Sequence, residues 1–371
     1  MRVLGFMSGT SLDAIDMAIL ETDGETITEL GPAGAWPLPS ETREVIQQAI
    51  DAALVWPRDA EPPVAFIPAE RAIARAHAEA AEAFLDDLVF SIHDFDLVAF
   101  PGQTVLHEPP SAGKVGRTVQ IGDAAWLART FGRPVACDFR SADVAAGGQG
   151  APLAPIYHAA LARMSGLEAP LAVLNLGGVA NITLIGSDGG LTAFDTGPAN
   201  GLIDQWVQRH TGARYDEDGR YAEAGKADPA VLERLLSAPF FDLRGPRSLD
   251  RYAFALDPVE GLSLQDGCAT LTAFTAEGVR RGIAQCPEPP GLLVVCGGGR
   301  LNPALMDAIV DRTEMPVVTA EEAGWRGDSV EAEAFAYLGA RVAAGLPISY
   351  PGTTGVASPL TGGRIVRPDA D

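Results

Sequence analysis

The chain has little sulfur or imidazole chemistry to offer. Its four cysteines, Cys137, Cys268, Cys286 and Cys296, are scattered without a CxxC spacing. They read as reduced thiols of a cytoplasmic protein, not as a disulfide framework. The five histidines (His77, His93, His107, His158 and His210) include no HExxH and no close pair, which argues against a zinc site. Positive charge is scarce: 27 Lys and Arg stand against 49 Asp and Glu, for a net charge of −22. That balance argues against nucleic acid or an anionic membrane surface as partner, although local turns and Mg²⁺ still allow a nucleotide. No segment approaches the ~18 apolar residues of a membrane span. Ser8, Thr10, Ser11 and Asp13 interrupt the apolar N-terminus too early for a secretory signal. Both common nucleotide fingerprints are missing: there is no GxxxxGK(S/T), and no GxGxxG opening a helix.

What is present is a repeated unit. Val3 to Ser8 is an apolar strand that turns at Gly9-Thr10-Ser11 and returns as Ile15 to Leu20. Leu171 to Leu176 turns at Gly177-Gly178 and returns as Val179 to Ile185. One strand–Gly-turn–strand unit per half suggests a duplicated two-lobe protein, and 371 residues suffice for two domains. Each turn offers backbone N–H groups to an anion, as a polyphosphate held between two lobes would require.

The remaining pattern is α/β. A three-stranded meander (Val3–Met7, Met17–Glu21, Thr26–Trp36) is followed by a helix capped by Ser40 and running to about Leu54. An Ala-rich helix to about Phe90 carries Ile73, His77, Ala80, Ala81, Phe84 and Leu88 along one face. Strands follow at 96–100 and 134–139, with a helix at 123–131 between them. The Gly- and Pro-rich stretch 145–155 reads as the crossing between lobes. In the second half the pattern predicts strands at 171–176, 179–185, 191–195, 292–296 and 317–319. It predicts helices at about 201–210, 263–284, from 303, and 329–346. Residues 212–258 are polar and weakly periodic, an insertion on the second lobe. The Gly-, Pro- and Thr-rich tail to Asp371 reads as irregular chain.

Several segments carry chemistry, and each has a plain structural alternative. Gly9-Thr10-Ser11 can present amides and hydroxyls to phosphate oxygens, with Asp13 and Asp16 holding water around Mg²⁺; an ordinary polar turn has the same composition. Gly177-Gly178 is either a phosphate turn or a simple hairpin. Asp195, at a strand end before a helix, is placed for acid–base work or for a turn or cap. Gly297-Gly298-Gly299 would let a flat base approach the backbone, or only make a tight turn. Arg140 beside the lobe crossing is able to bind an acidic substrate group bidentately, or to form a salt bridge. Glu331 and Glu333 open the last helix, where the dipole alone favours carboxylates.

Taken in order, MSGTSLDAID, PGQT, DFRSADVAAGGQGAPLAP, NLGGVANIT, FDTGPAN, CGGGRLN and DSVEAEAFAYL resemble the anhydro-N-acetylmuramic acid kinases of bacteria, over nearly the whole chain. The resemblance implies the two-lobe actin-like ATPase fold, a duplicated ribonuclease H-like α/β architecture with an interlobe active-site cleft. It places the first lobe at 1–140 plus 335–371 and the second at 141–334. It implies ATP and Mg²⁺ as cofactors and anhydro-N-acetylmuramic acid as substrate. The reaction implied is hydrolytic opening of the 1,6-anhydro ring coupled to phosphorylation of O6, in cytoplasmic cell-wall recycling. By resemblance Asp195 is the catalytic base. Gly9, Thr10, Ser11, Leu12, Asp13, Ala14, Ile15, Asp16, Gly177 and Gly178 hold phosphates, with Asp13 reaching a metal through water. Gly297, Gly298, Gly299 and Asn302 border the adenosine, and Gln103, Thr104, Arg140 and Glu331 meet the substrate. Ala14 and Ala199 stand where relatives commonly carry Gly, and Pro246–Tyr252 departs from a more usual PKSTGRE-like run. A homodimer stays open as a partner. Two other functions stay open as well: an ordinary sugar kinase without the hydrolytic step, and a non-catalytic actin-like assembly or sensor protein.

Overall fold

Two runs of apolar residues around glycine turns each open a sheet. The computed structural model describes residues 1–9, 12–110, 113–249 and 254–368. They form two compact units, Met1–Met164 with Ser329–Asp371, and Ser165–Asp328.

In the first unit, β1 (Arg2–Ser8), β2 (Ala14–Thr22) and β3 (Ile27–Pro37) make an antiparallel meander. Two helices follow, α1 (Ser40–Leu54) and α2 (Phe66–Asp87). Ser40 is the first helical residue and not the cap; Pro39 holds that position and makes no side-chain capping bond. On α2, Ile73, His77, Ala80, Ala81 and Phe84 are buried, as the 3.6-residue spacing predicts. Next come β4 (Leu97–Ala99), the hairpin β5 (Gln103–Glu108) and β6 (Arg117–Ile121), α3 (Ala124–Phe131), β7 (Val135–Cys137), α4 (Ser141–Ala145) and α5 (Pro155–Met164).

The second unit repeats the opening. Its meander is β8 (Leu171–Leu176), β9 (Val179–Ile185) and β10 (Leu191–Pro198), followed by α6 (Asn200–Thr211). The stretch 212–258 contributes short helices, including α7 (Arg220–Ala224) and α8 (Pro229–Leu236). Leu235 and Phe241 from this stretch form one core with Val259, Trp206, Leu271 and Phe274. Then come α9 (Leu264–Ile283), β11 (Leu293–Cys296), α10 (Pro303–Thr313) and β12 (Val317–Thr319). The chain returns to the first unit through α11 (Val330–Ala343) and β13 (Arg364–Val366).

The sheets share one plan. The first has the order β13-β7-β4-β1-β2-β3 and the second β10-β9-β8-β11-β12. In each, the first strand of the meander pairs in parallel with the next strand along, which pairs in parallel with one more. This 3-2-1-4-5 arrangement, made twice, is the duplicated ribonuclease H-like architecture. α11 packs so closely on the first sheet that a Cβ on Gly5 would collide with the Ala332 carbonyl oxygen and lie 2.7 Å from Ala336.

Three differences from the sequence expectation stand out. The tail contributes β13, antiparallel to β7, and is therefore not wholly irregular. β10 does not end at Asp195 but continues to Pro198 across a register shift between Asp195 and Gly197. The stretch 145–155, expected as the crossing, lies within the first unit, which runs on to Met164. It is tied there by Gly150 N–H to Asp143 (2.6 Å) and Gln149 N–H to the Thr354 carbonyl (2.7 Å).

Candidate active site

In open α/β sheets, ligands bind beyond the carboxyl ends of the parallel strands. In the second unit, β8 and β11 both run out into glycine there. Gly177 and Gly178 close the β8–β9 hairpin, and their carbonyls accept the first amides of α6. Asn200 N–H bonds Gly177 O (3.0 Å), and Ala199 and Gly201 N–H bond Gly178 O (3.0 and 3.2 Å). A Cβ on Gly178 would meet nothing within 4 Å. The turn after β11 packs against the same place. Gly297 has φ +78°, and a Cβ on it would strike Asn175 Oδ1 and lie 2.8 Å from the Leu176 backbone. A Cβ on Gly299 would fall 2.6 Å from Leu176 Cβ and 3.0 Å from Asn200 Oδ1. Asn200 Nδ2 completes the knot on the Leu176 carbonyl (3.0 Å). Three segments far apart in sequence thus meet: the Gly-Gly turn, the start of α6, and the triple glycine. Together they pack glycine backbone against the first turn of α6, with Gly178 and Gly298 exposed.

Arg300 anchors the triple glycine. Its side chain is 3% exposed and binds Glu321 (2.8 Å), Asp328 (2.9 Å) and the Gly297 carbonyl (3.1 Å). Asn302 has a structural duty, because its Oδ1 accepts Leu305 N–H (3.1 Å) and caps α10. Ala199 has φ −126° and Ala14 lies in β2, so neither position needs glycine.

Asp195 sits on β10 opposite Asn181. Its Oδ2 accepts the Leu249 N–H (2.5 Å). Burial pushes its carboxyl up to about 7, against the opposing pull of the Leu249 N–H and the Arg247 charge. A carboxylate poised near neutrality suits a general base.

The first unit has the same logic at the carboxyl ends of β1, β4 and β7. Thr10 and Ser11 lie outside the described residues. Leu12 adopts φ +56° and is buried with Ile15, so these two side chains serve the core and could offer a ligand only backbone. Asp13 is exposed at the mouth of β2, and Asp16 pairs with Met7. Gln103 is fully buried beside the turn, its Nε2 3.4 Å from the Gly9 carbonyl. Gln103 Oε1 and Ser8 Oγ are both buried without a hydrogen-bond partner. Unsatisfied buried polar atoms at a glycine turn are what a ligand would complete. Thr104 Oγ1 is 3.2 Å from Gln120 Nε2.

Further along this edge, Arg140 donates to the Gly150 carbonyl (2.7 Å), and the charges of Glu331 and Asp143 act on it. Asp143, fully buried, binds Gly150 N–H and Thr354 Oγ1 (2.5 Å). His107 joins this group, and no motif in the sequence announced it. Its Nδ1 meets Thr118 Oγ1 (3.0 Å), and its Nε2 is buried without a partner. Burial, then the Arg140 charge, pushes His107 down to about 4, so the ring is neutral at pH 7. Arg247 and Leu249 are likewise additions to the sequence-based set, although the departure of their segment from the family pattern marked it.

The described residues contain no group of three or more His, Cys, Asp or Glu able to hold a metal ion. Magnesium in phosphate sites is carried largely by water and by the phosphates themselves. No described helix is long and apolar enough to cross a membrane.

A ribonuclease H-like sheet built twice, with glycine turns at the carboxyl ends of its parallel strands, defines the class of actin-like ATPases and sugar kinases. Within that class the chain belongs to the anhydro-N-acetylmuramic acid kinase family, whose model matches residues 1–368. Membership makes it an enzyme, a kinase. It is 61% identical over 366 residues to the anhydro-N-acetylmuramic acid kinase of Caulobacter vibrioides, covering 99% of each chain. It is 60% identical over 369 residues to that of Phenylobacterium zucineum, covering 100% of each. Among solved structures it is similar to component A of (R)-2-hydroxyglutaryl-CoA dehydratase from Acidaminococcus fermentans. That match has 13% identity and TM-score 0.46, and covers 92% of this chain and 99% of that one.

Proposed function

We propose that the enzyme opens the 1,6-anhydro ring of anhydro-N-acetylmuramic acid with water and phosphorylates O6 from ATP, giving N-acetylmuramic acid 6-phosphate and ADP. Water attacks the anomeric carbon, the bond from that carbon to O6 breaks, and O6 takes the phosphoryl group. The single observation that carries the reading is Asp195, half-buried, fixed at one oxygen and held near neutrality. Its carboxylate accepts the proton of the attacking water, as the base does in inverting glycosidases. ATP with Mg²⁺ supplies the electrophile that O6 needs, so no separate general acid is required. The open Gly178 turn would hold phosphate oxygens, and Gly297–Gly299 would border the adenosine. Arg140, Glu331, Gln103 and the phosphate turn at Gly9 are the first unit's contributions. The product fits a cytoplasmic route that recovers cell-wall sugar.

Turnover in ¹⁸O-water, read by mass spectrometry before the anomeric hydroxyl exchanges, tests the reading. One labelled oxygen and one phosphate per product are expected. Asp195→Asn should slow turnover by ~10²–10⁴-fold while ATP and sugar still bind. A phosphorylated product without label would instead make the enzyme an ordinary sugar kinase.

A further inference from the structure

β10 is the edge strand of its sheet, and an edge is a poor place to hold a catalytic carboxylate in one position. The chain covers this edge at Asp195 with residues from the 212–258 stretch. The Asp195 N–H donates to the Arg247 carbonyl (3.0 Å), and Arg247 Nε donates to the Asp195 carbonyl (3.0 Å). Two residues on, the Leu249 N–H reaches Asp195 Oδ2. Both backbone groups of Asp195 and one of its carboxylate oxygens are therefore held by a three-residue span.

Arg247 is itself well anchored. It is 7% exposed, and its guanidinium lies 4.5 Å from the Phe194 ring centre and 5.2 Å from that of Phe240. Its Nη1 donates to Gln285 Oε1 (2.7 Å) and to the Leu243 carbonyl (2.9 Å). Only a planar, multi-donor cation can stack on two rings and bond three acceptors at once; a lysine could not. Asn181 lies opposite on β9, and α9 turns Gly278 and Gly282 towards Thr196. Among the described residues Arg247 is the charge that acts on the carboxylate, and Arg244 in turn acts on Arg247.

We propose that Arg247 is a positioning residue for Asp195: it locks the 247–249 span onto β10 so that the Leu249 N–H fixes one carboxylate oxygen in the orientation that water activation needs. The proposal rests on Asp195 being the base. It gives the segment around Arg247 a function in the reaction, beyond filling the hydrophobic core of the second unit. Misplacement of a reacting group by about 1 Å costs on the order of 10²-fold in rate.

The test compares wild type, Asp195→Asn, Arg247→Met, Arg247→Lys and Gln285→Met in the full chain. Measured for each are kcat, KM for sugar and ATP, the pH profile of kcat, and melting temperature. Arg247→Met should lower kcat by roughly 10–10²-fold with both KM values little changed. It should also move the acid limb of the profile to higher pH, because the anion loses a cation and its oriented donor. Arg247→Lys should restore the limb and only part of kcat. Gln285→Met, which loosens Arg247 from the side away from Asp195, should shift both quantities in the same direction by less. This last variant decides the matter if Arg247→Met does not fold. A lowered melting temperature with kcat and the acid limb unchanged in Arg247→Met or Gln285→Met would overturn the positioning role. Near-normal turnover by Asp195→Asn would instead overturn the base assignment beneath it.

Discussion

Glycines that look alike in the sequence carry opposite burdens. A Cβ placed on Gly178 would have no atom within 4 Å, and this residue has no positive φ; Gly297 has φ +78° with Asn175 and Leu176 against it. Gly178→Val therefore adds its branch to open space in front of the turn. It should change the melting temperature by no more than about 2 °C, as exposed substitutions do. Its nucleotide affinity should fall at least about tenfold, ~1.4 kcal/mol, since the branch occupies the approach to the backbone. Gly297→Ala is the contrast: strain and overlap should cost roughly 1–3 kcal/mol of stability whatever is bound. Calorimetry of nucleotide binding alongside thermal melts separates the two, and unchanged affinity in a folded Gly178→Val would remove that turn from the phosphate site. Sequence alone marks both positions as candidates. It cannot sort them, because the sorting depends on Asn175, Leu176 and Asn200 arriving from elsewhere.

Among the elements, those with a full apolar run were legible and the short ones were not. β1–β2 and β8–β9 were readable because near-continuous apolar runs flank a glycine turn. The hairpin β5–β6 was hidden because its strands are only partly buried and Pro109, Pro110 and Gly113 lie between them. β13 has three residues, of which only Val366 is buried, too few to show a period. The electrostatics of α6 were equally hidden. Asp204 on that helix is pushed up to about 7 by burial, with the neighbouring charge of Asp216 adding to it. Asp216 comes from the polar stretch after α6 and is itself buried, accepting the Tyr221 and Ala222 N–H groups (2.9 and 3.0 Å). A carboxyl with a raised folded value binds its proton more tightly folded than unfolded. It therefore lowers stability as pH rises from about 4 to about 7, and the full penalty persists above that window. Asp204→Asn removes the penalty. Its melting temperature should exceed that of wild type at pH 8, and the gain should shrink towards pH 4. A gain independent of pH would mean that Asp204 titrates normally in the folded chain.

At the scale of the whole molecule, the repeat was legible and the division of the chain was harder to read. Sequence pattern and resemblance set the boundaries near 140 and 334. The compact units change over at Met164/Ser165 and Asp328/Ser329. Glycine and proline between 145 and 155 imitate a linker, but Asp143 and Thr354 bind that segment into the first unit. Nothing local in the sequence announces a contact with a residue some 200 positions away. The consequence is an asymmetry in how the units are built. The second is one continuous segment with its own cores around Leu174, Phe194 and Val295, and around Trp206 and Phe274. The first is completed only when α11 returns. Gly5 admits that helix, Tyr337 Oη donates to the Glu25 carbonyl (3.1 Å), and Arg341 Nη1 to the Gly24 carbonyl (2.6 Å). Val330, Phe335, Tyr337 and Leu338 of α11 are all buried. At about 1.5–3 kcal/mol each, these four side chains contribute roughly 6–12 kcal/mol, comparable to the whole stability of a typical domain, about 5–15 kcal/mol. Residues 165–328 alone should therefore melt cooperatively. A chain ending at Asp328 should keep that transition and lose the one belonging to the first unit. Circular dichroism melts with amide hydrogen exchange on both truncations are the check. Native protection of β1 and β4 amides in the chain that lacks α11 would refute the claim that the first unit depends on its last helix.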